Sequence, residues 1–148
     1  MKILVIDDSE DQLETAKQML SDKQLLTAST FAEARAMLTS ETNFDVVLTD
    51  LMMPGEEKGQ SLPDFIGSPC PYGFAIALLA LKVGVPKVAI VSNGNDDGNH
   101  HLHPILWACD SLEGVILPGR LMAFVGRNCP TKHFMIKDWA TVLQKLLE

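Results

Sequence analysis

The sequence predicts an α/β domain, a doubly wound, five-stranded parallel sheet with helices on both faces. Short β-branched and leucine-rich runs, "KILVID", "DVVLTD" and "KVAIVSN", have the uninterrupted apolar pattern of strands covered on both sides. Amphipathic segments lie between them, and strands alternating with helices at this pace make βαβ units. The strand ends supply a third observation. Asp7 and Asp8 close the first run, Asp50 the third and Ser92 the fourth. In such sheets ligands gather beyond the carboxyl ends of the strands, near the reversal of strand order.

After the first strand, "DSEDQLETAKQMLSD" places Leu13, Ala16, Met19 and Leu20 at helical spacing. Ser9 is the expected N-cap, and acids crowd the first turn, where the helix dipole favours them. "QLLTAST" is the second strand. "TFAEARAMLTSE" is a second helix, with Thr30 and Glu33 spaced as a capping box. "DVVLTD" follows, then "PYGFAIALLALKVG" as a largely buried third helix and "KVAIVSN" as the fourth strand. "NGNDDGNHHLH" reads as a polar loop, and "PILWACDSLE" as a short helix opened by Pro104. "GVILPGRLMAFVG" reads as two short strands around a Pro-Gly turn. "KDWATVLQKLLE" is the last helix, capped by Asp138 and apolar at Val142, Leu143, Leu146 and Leu147.

A chain of 148 residues fits one domain with a sizeable core, and 47% apolar with 21% charged residues is ordinary for a globular protein. The net charge of −7, without a Lys/Arg-rich run, gives direct nucleic-acid binding little electrostatic support. No apolar run is long enough to cross a bilayer, and the N-terminus lacks the pattern of a secretory signal. Cys70, Cys109 and Cys129 are too dispersed for a disulfide framework or a CxxC site. A cytoplasmic protein of one domain, 1–148, is therefore expected, with no output domain after the last helix.

Asp7, Asp8 and Asp50 gathered at one sheet edge repel. At ~4 Å and an effective dielectric of ~20 each pair costs about 4 kcal/mol. A proton or a hard cation relieves that repulsion, and oxygen-only ligands suit Mg²⁺. In "NHHLHP", His100 and His103 could share a helical face near Asp96 and Asp97, but no fourth ligand stands at a diagnostic spacing. His100, His101 and His103 are read as loop histidines. Trp139 is open to two readings, a partly buried anchor of the last helix or a contact on a partner-binding face.

"ILVIDDSEDQL", "FDVVLTDLMMPG", "KVAIVSN" and a lysine just before the last helix together resemble the receiver domain of bacterial response regulators in two-component signalling. The resemblance covers most of the chain and implies the flavodoxin-like receiver fold. It implies Asp50 as phosphoacceptor, with Mg²⁺ held by Asp8, Asp50 and the carbonyl of Met52, and by Asp7 through water. Ser92 and Lys137 would bind the phosphoryl group, and Ser92 and Phe134 would act as switch residues. The implied function is that of a stand-alone receiver. It takes a phosphoryl group from a histidine kinase or phosphotransfer protein and so alters binding to a downstream protein. It is a phosphoprotein in a relay, not an enzyme acting on a separate substrate, though slow autodephosphorylation fits the family.

The chain departs from the family at two places. Asp50 to Ser92 and Ser92 to Lys137 are both longer than usual, so an inserted loop after the third strand ("EEKGQSLPDFIGSPCP") and an extra segment before the last helix are expected. Residues 56–69 have the Gly, Pro and Ser content of a surface loop, neither helix nor strand. For the fifth strand, "HFMIK" would end in Lys137 directly before the helix cap. Placing it at "GVILPG" instead would put Leu117 at the lysine position and leave the site lysine missing, or supplied by Lys132 or Lys137 from a rearranged segment. The rival function is a pseudo-receiver, an interaction module that phosphate does not switch. A haloacid-dehalogenase type phosphatase needs a second acid two residues after the nucleophile, where this chain has Met52.

Overall fold

The computed structural model describes residues 1–40, 43–55, 66–93, 115–125, 129–132 and 135–148. Four apolar runs form strands where the sequence places them: β1 (Lys2–Ile6), β2 (Gln24–Ala28), β3 (Val46–Asp50) and, later, β6 (Lys87–Ser92). With β8 (Leu121–Val125) they form five parallel strands in the order β2-β1-β3-β6-β8. That is the flavodoxin-like order, with its switch point between β1 and β3. A sixth strand, β7 (Val115–Leu117), pairs antiparallel with β8 at the sheet edge. The expected sheet is thus extended by one short antiparallel strand, made by the Pro-Gly turn that folds "VIL" back on "LMAFV".

The fifth parallel strand is neither "HFMIK" nor "GVILPG". Leu121, Ala123, Phe124 and Val125 are all buried, and only a run buried on both faces can stand beside β6. Ile136–Lys137 instead forms β10, a two-residue strand antiparallel to β9 (Thr131–Lys132) and outside the main sheet. Another small ladder joins β4 (Met53–Pro54) to β5 (Pro69–Cys70). Gly55 N–H donates to Ser68 O at 2.9 Å, and Gly67 N–H to Gly55 O at 2.9 Å. Of the expected surface loop 56–69, then, residues 66–69 are tied to the chain following β3, and Pro69 belongs to a strand. Residues 56–65 lie outside the described ones, as do the loop histidines, the helix expected after Pro104, and Phe134.

Among the described residues the helices are α1 (Glu10–Met19), α2 (Phe31–Ser40), α3 (Tyr72–Lys82) and α4 (Trp139–Leu147). Side chains alternate across each strand, so two cores form. Leu4, Ile6, Val47, Val88 and Ile90 pack with Ala34, Leu38, Ile76 and Ala80 of α2 and α3. Ile3, Val5, Leu48, Ala89 and Val91 pack with Leu13 and Ala16 of α1 and with Trp139, Val142 and Leu146 of α4.

The caps differ in detail. Asp138 accepts from Thr141 N–H at 3.1 Å, as an N-cap should. Thr30 Oγ1 accepts from Glu33 N–H at 3.1 Å, but the Glu33 carboxylate reaches back to Ser29 rather than Thr30. Ser9 stands at the N-cap of α1 without a side-chain cap bond. Its N–H is taken by Asp7 Oδ1 at 3.0 Å, a local turn that ties the start of α1 to the strand-end acid.

Gly73 lies in the first turn of α3, against the backbone that leaves β3. A Cβ there would come within 2.1 Å of Asp50 O and 2.7 Å of Leu51 Cα. Alanine favours a helix interior over glycine by up to ~1 kcal/mol. A clash with backbone outweighs that gain, because overpacking costs about 1–3 kcal/mol. Gly73→Ala is therefore expected to lower the urea midpoint; an unchanged or raised midpoint would show that α3 can move away freely.

Candidate functional site

Parallel register brings the strand-end residues level. Ile6 pairs with Thr49 and Asp50 with Val91, so Asp7, Asp50 and Ser92 lie within about one residue of each other along the carboxyl edge. All three are buried: Asp7 is 2% exposed, Ser92 6% and Asp50 7%. Asp8 is exposed at the mouth of the site.

Lys137 enters this acid edge from β10. It is 3% exposed, and its Nζ lies 2.5 Å from Asp7 Oδ2 and 2.6 Å from Asp50 Oδ1. Lys132, the other candidate for this corner, pairs with Asp138 at 3.4 Å and is half exposed. The ammonium therefore reaches Asp50 although Lys137 does not end a strand of the main sheet. The remaining oxygen of Asp50, Oδ2, accepts from Met52 N–H at 3.1 Å. Both carboxylate oxygens thus have a donor, and the chain following β3 is turned back over its own strand end. Phe134 is outside the described residues, so its switch role rests on the sequence.

Burial raises the Asp50 carboxyl first; Lys137 opposes that rise and Asp7 adds to it, leaving Asp50 at about 6. Asp8 is also raised, by partial loss of hydration and then by the charge of Asp7. Burial works against the charge on Lys137, but Asp50 and Asp7 outweigh it and hold the ammonium above its ordinary value. Three carboxylates facing one ammonium leave the edge short of positive charge.

The donor chemistry of Asp7, Asp8 and Asp50, carboxylate oxygen throughout, is that of an Mg²⁺ site. Among the described residues, no three of His, Cys, Asp and Glu stand close enough together to hold a metal ion as they are. The ammonium of Lys137 takes one oxygen from each buried acid, so a cation would share Asp50 with it.

The lysine is supported by residues outside the strand-end pattern. Gln12 of α1 is buried, and its amide bridges the β10 segment: Nε2 donates to Met135 O at 3.0 Å, and Oε1 accepts from Lys137 N–H at 3.0 Å. Trp139 is fully buried, and its indole N–H donates to Gln12 O at 3.1 Å. Its ring centroid is 5.4 Å from Lys137 Nζ. Of the two readings of Trp139, the anchor holds. Asn93, next to Ser92, also donates to Met135 O. One signal for Gln12 was present in the sequence, since it stands four residues before Ala16 and eight before Leu20, on the apolar stripe of α1. No comparable signal marks Asn93 or Met135.

Solved structures share this architecture. A response regulator receiver protein from Sinorhizobium medicae matches with a TM-score of 0.61 and 20% identity, covering 99% of this chain and 94% of that one. The chemotaxis protein CheY4 of Vibrio cholerae matches with a TM-score of 0.53 and 18% identity, over 99% and 98% of the two chains. The response regulator protein TrrA from Thermotoga maritima, in complex with Mg²⁺ and BeF, matches with a TM-score of 0.56 and 24% identity, over 99% and 100%. No protein-family model matches the sequence, and no curated protein does. These matches run over nearly the whole of each chain, and the chain has the fold of a response regulator receiver domain.

Proposed function

We propose that this protein is a phosphorylation-controlled receiver that accepts a phosphoryl group on Asp50 from a phosphohistidine of a kinase or phosphotransfer protein. The observation that carries this reading is the buried carboxylate of Asp50, held on one side by the Lys137 ammonium and on the other by Met52 N–H. In the transfer an Asp50 oxygen attacks phosphorus in line, a P–O bond forms, and the P–N bond to the donor imidazole breaks. The freed nitrogen leaves with the electron pair. Little covalent work falls to the protein, so positioning and charge neutralisation carry the chemistry. Asp50 must be ionised to attack, and a carboxyl titrating near 6 is largely ionised at neutral pH.

Lys137 would offset charge on the transferred group as a compact point charge. Ser92, buried at the end of β6, would donate its hydroxyl to a phosphoryl oxygen. Asp8, Asp50 and the Met52 carbonyl would hold Mg²⁺, with Asp7 behind them, and the ion would supply further neutralisation of the phosphoryl oxygens. The acyl phosphate would change the surface offered to a downstream protein. The protein acts on its own aspartate and turns over no separate substrate. No helix among the described residues is long and apolar enough to cross a membrane, and a cytoplasmic site of action suits a kinase partner.

The test is labelling by acetyl phosphate with Mg²⁺. Wild type should form a hydroxylamine-sensitive adduct, and Asp50→Asn should not. An unlabelled wild type overturns this reading and favours the pseudo-receiver. One observation supports that rival, since the Lys137 ammonium itself offsets part of the charge of the acid pair.

Mg²⁺ should also raise the thermal midpoint of the wild type, because a site filled to ~100 times its dissociation constant adds about 2.7 kcal/mol. Asp8→Ala should lose most of that shift. An equal shift in the two proteins would place the ion elsewhere.

A further inference from the structure

Lys137 owes its position to two residues that the phosphotransfer reading does not use. It does not continue a strand of the main sheet, so nothing in the parallel ladder fixes its backbone. The β9 ribbon pairs with it on one side, and the Gln12 amide ties it to α1 on the other, accepting from Lys137 N–H and donating to Met135 O, as the peptide group of a neighbouring strand would. Met135 has a φ of +73°, and its side chain is 54% exposed. A non-glycine residue held in the left-handed region costs energy and persists where its surroundings fix it. Those surroundings are the amides of Gln12 and Asn93, both aimed at the same Met135 carbonyl.

We infer that Gln12 and Asn93 are positioning residues that hold the Met135–Lys137 backbone so that the ammonium reaches Asp50. Asn93 follows Ser92, so the clamp also ties the end of β6 to the Met135 carbonyl and through it to the lysine segment. α1 supplies one side of the clamp, and the residue after β6 the other. The functional meaning of the clamp rests on the phosphoryl-acceptor reading; its effect on the lysine does not.

Two readouts separate these dependences. The first is the Lys137 ammonium signal in ¹⁵N-detected NMR, which a buried, paired lysine shows because its protons exchange slowly. The second is the rate of labelling by acetyl phosphate. Gln12→Met keeps side-chain length and removes both amide bonds, while Asn93→Ala removes one donor. Exchange at Lys137 should accelerate about tenfold in Gln12→Met and severalfold in Asn93→Ala, the range expected for loss of buried hydrogen bonds. Labelling should slow in the same order. Leu146→Ala serves as a control, destabilising the same core without touching the clamp, and should leave Lys137 exchange within twofold of wild type in the folded state.

Lys137 exchange as slow in Gln12→Met as in wild type overturns the inference, and so does the absence of a protected Lys137 signal in the wild type. If Gln12→Met fails to fold, Asn93→Ala, whose side chain is only partly buried, decides alone by the same criterion. A wild type that shows the protected signal but takes no label removes the phosphoryl reading, and the exchange comparison still decides the clamp.

Discussion

Lys137→Met is expected to lower stability by about 3–5 kcal/mol near neutral pH in metal-free buffer, the range seen when one partner of a buried ion pair is removed. The substitution keeps most of the side-chain volume and leaves Asp7 and Asp50, 2% and 7% exposed, facing each other without a counter-charge. The deficit should depend on pH with a definite sign. Asp50 already binds its proton more tightly in the folded protein than in the unfolded chain, its carboxyl standing near 6 against an ordinary 3.8. The Asp50 contribution to wild-type stability is therefore fully present below about pH 4 and is lost as pH rises through 6.

Without the lysine, the one strong influence lowering that value is gone, so ionising Asp50 in the folded state becomes costlier still. The gap between wild type and Lys137→Met should be small near pH 5, where the variant can protonate Asp50, and widest above pH 7. Urea unfolding at several pH values measures it. A gap that stays constant across this range would mean that the lysine contributes packing rather than charge.

Four strands of the sheet were legible because they are short apolar runs between helical segments, and a buried parallel strand leaves few residue choices. Asp7, Asp8, Asp50 and Ser92 were legible for a related reason. A polar residue that ends such a run stands at the sheet's carboxyl edge, whatever the loops do. The placement of the fifth strand was not. "HFMIK" and "LMAFV" are both short apolar runs, and periodicity alone does not say which one β6 accepts as a neighbour. The full burial of Leu121, Ala123, Phe124 and Val125 decides it, and burial is a tertiary property.

Lys137 is instructive because the strand offered as its support was misplaced while its ion pair with Asp50 forms. The reach of a lysine side chain is long enough for a two-residue ribbon to serve where a sheet strand was expected. What holds that ribbon comes from α1, more than a hundred residues earlier in the chain, and no local pattern near Lys137 signals it.

Trp139→Ala should cost about 3–5 kcal/mol, comparable to loss of the lysine but for a different reason. Trp139 is the largest fully buried side chain among the described residues and opens α4 directly after its Asp138 cap. Its ring fills the core shared by α1, α4 and one face of the sheet, and its N–H donates to Gln12 O. Truncation therefore leaves a cavity beneath the residue that clamps the lysine segment. Trp139→Phe separates packing from hydrogen bonding. It keeps an aromatic ring and loses the N–H, and should cost about 1–2 kcal/mol. Neither substitution changes a charge, so both deficits should be nearly independent of pH between about 5 and 8, unlike that of Lys137→Met. Because Gln12 stands between the indole and the lysine backbone, Trp139→Ala should also speed exchange of the Lys137 ammonium below its melting temperature. Urea midpoints within ~1 kcal/mol of wild type for the alanine variant would mean that α4 repacks without its anchor, and that the lysine is held from the β10 side alone.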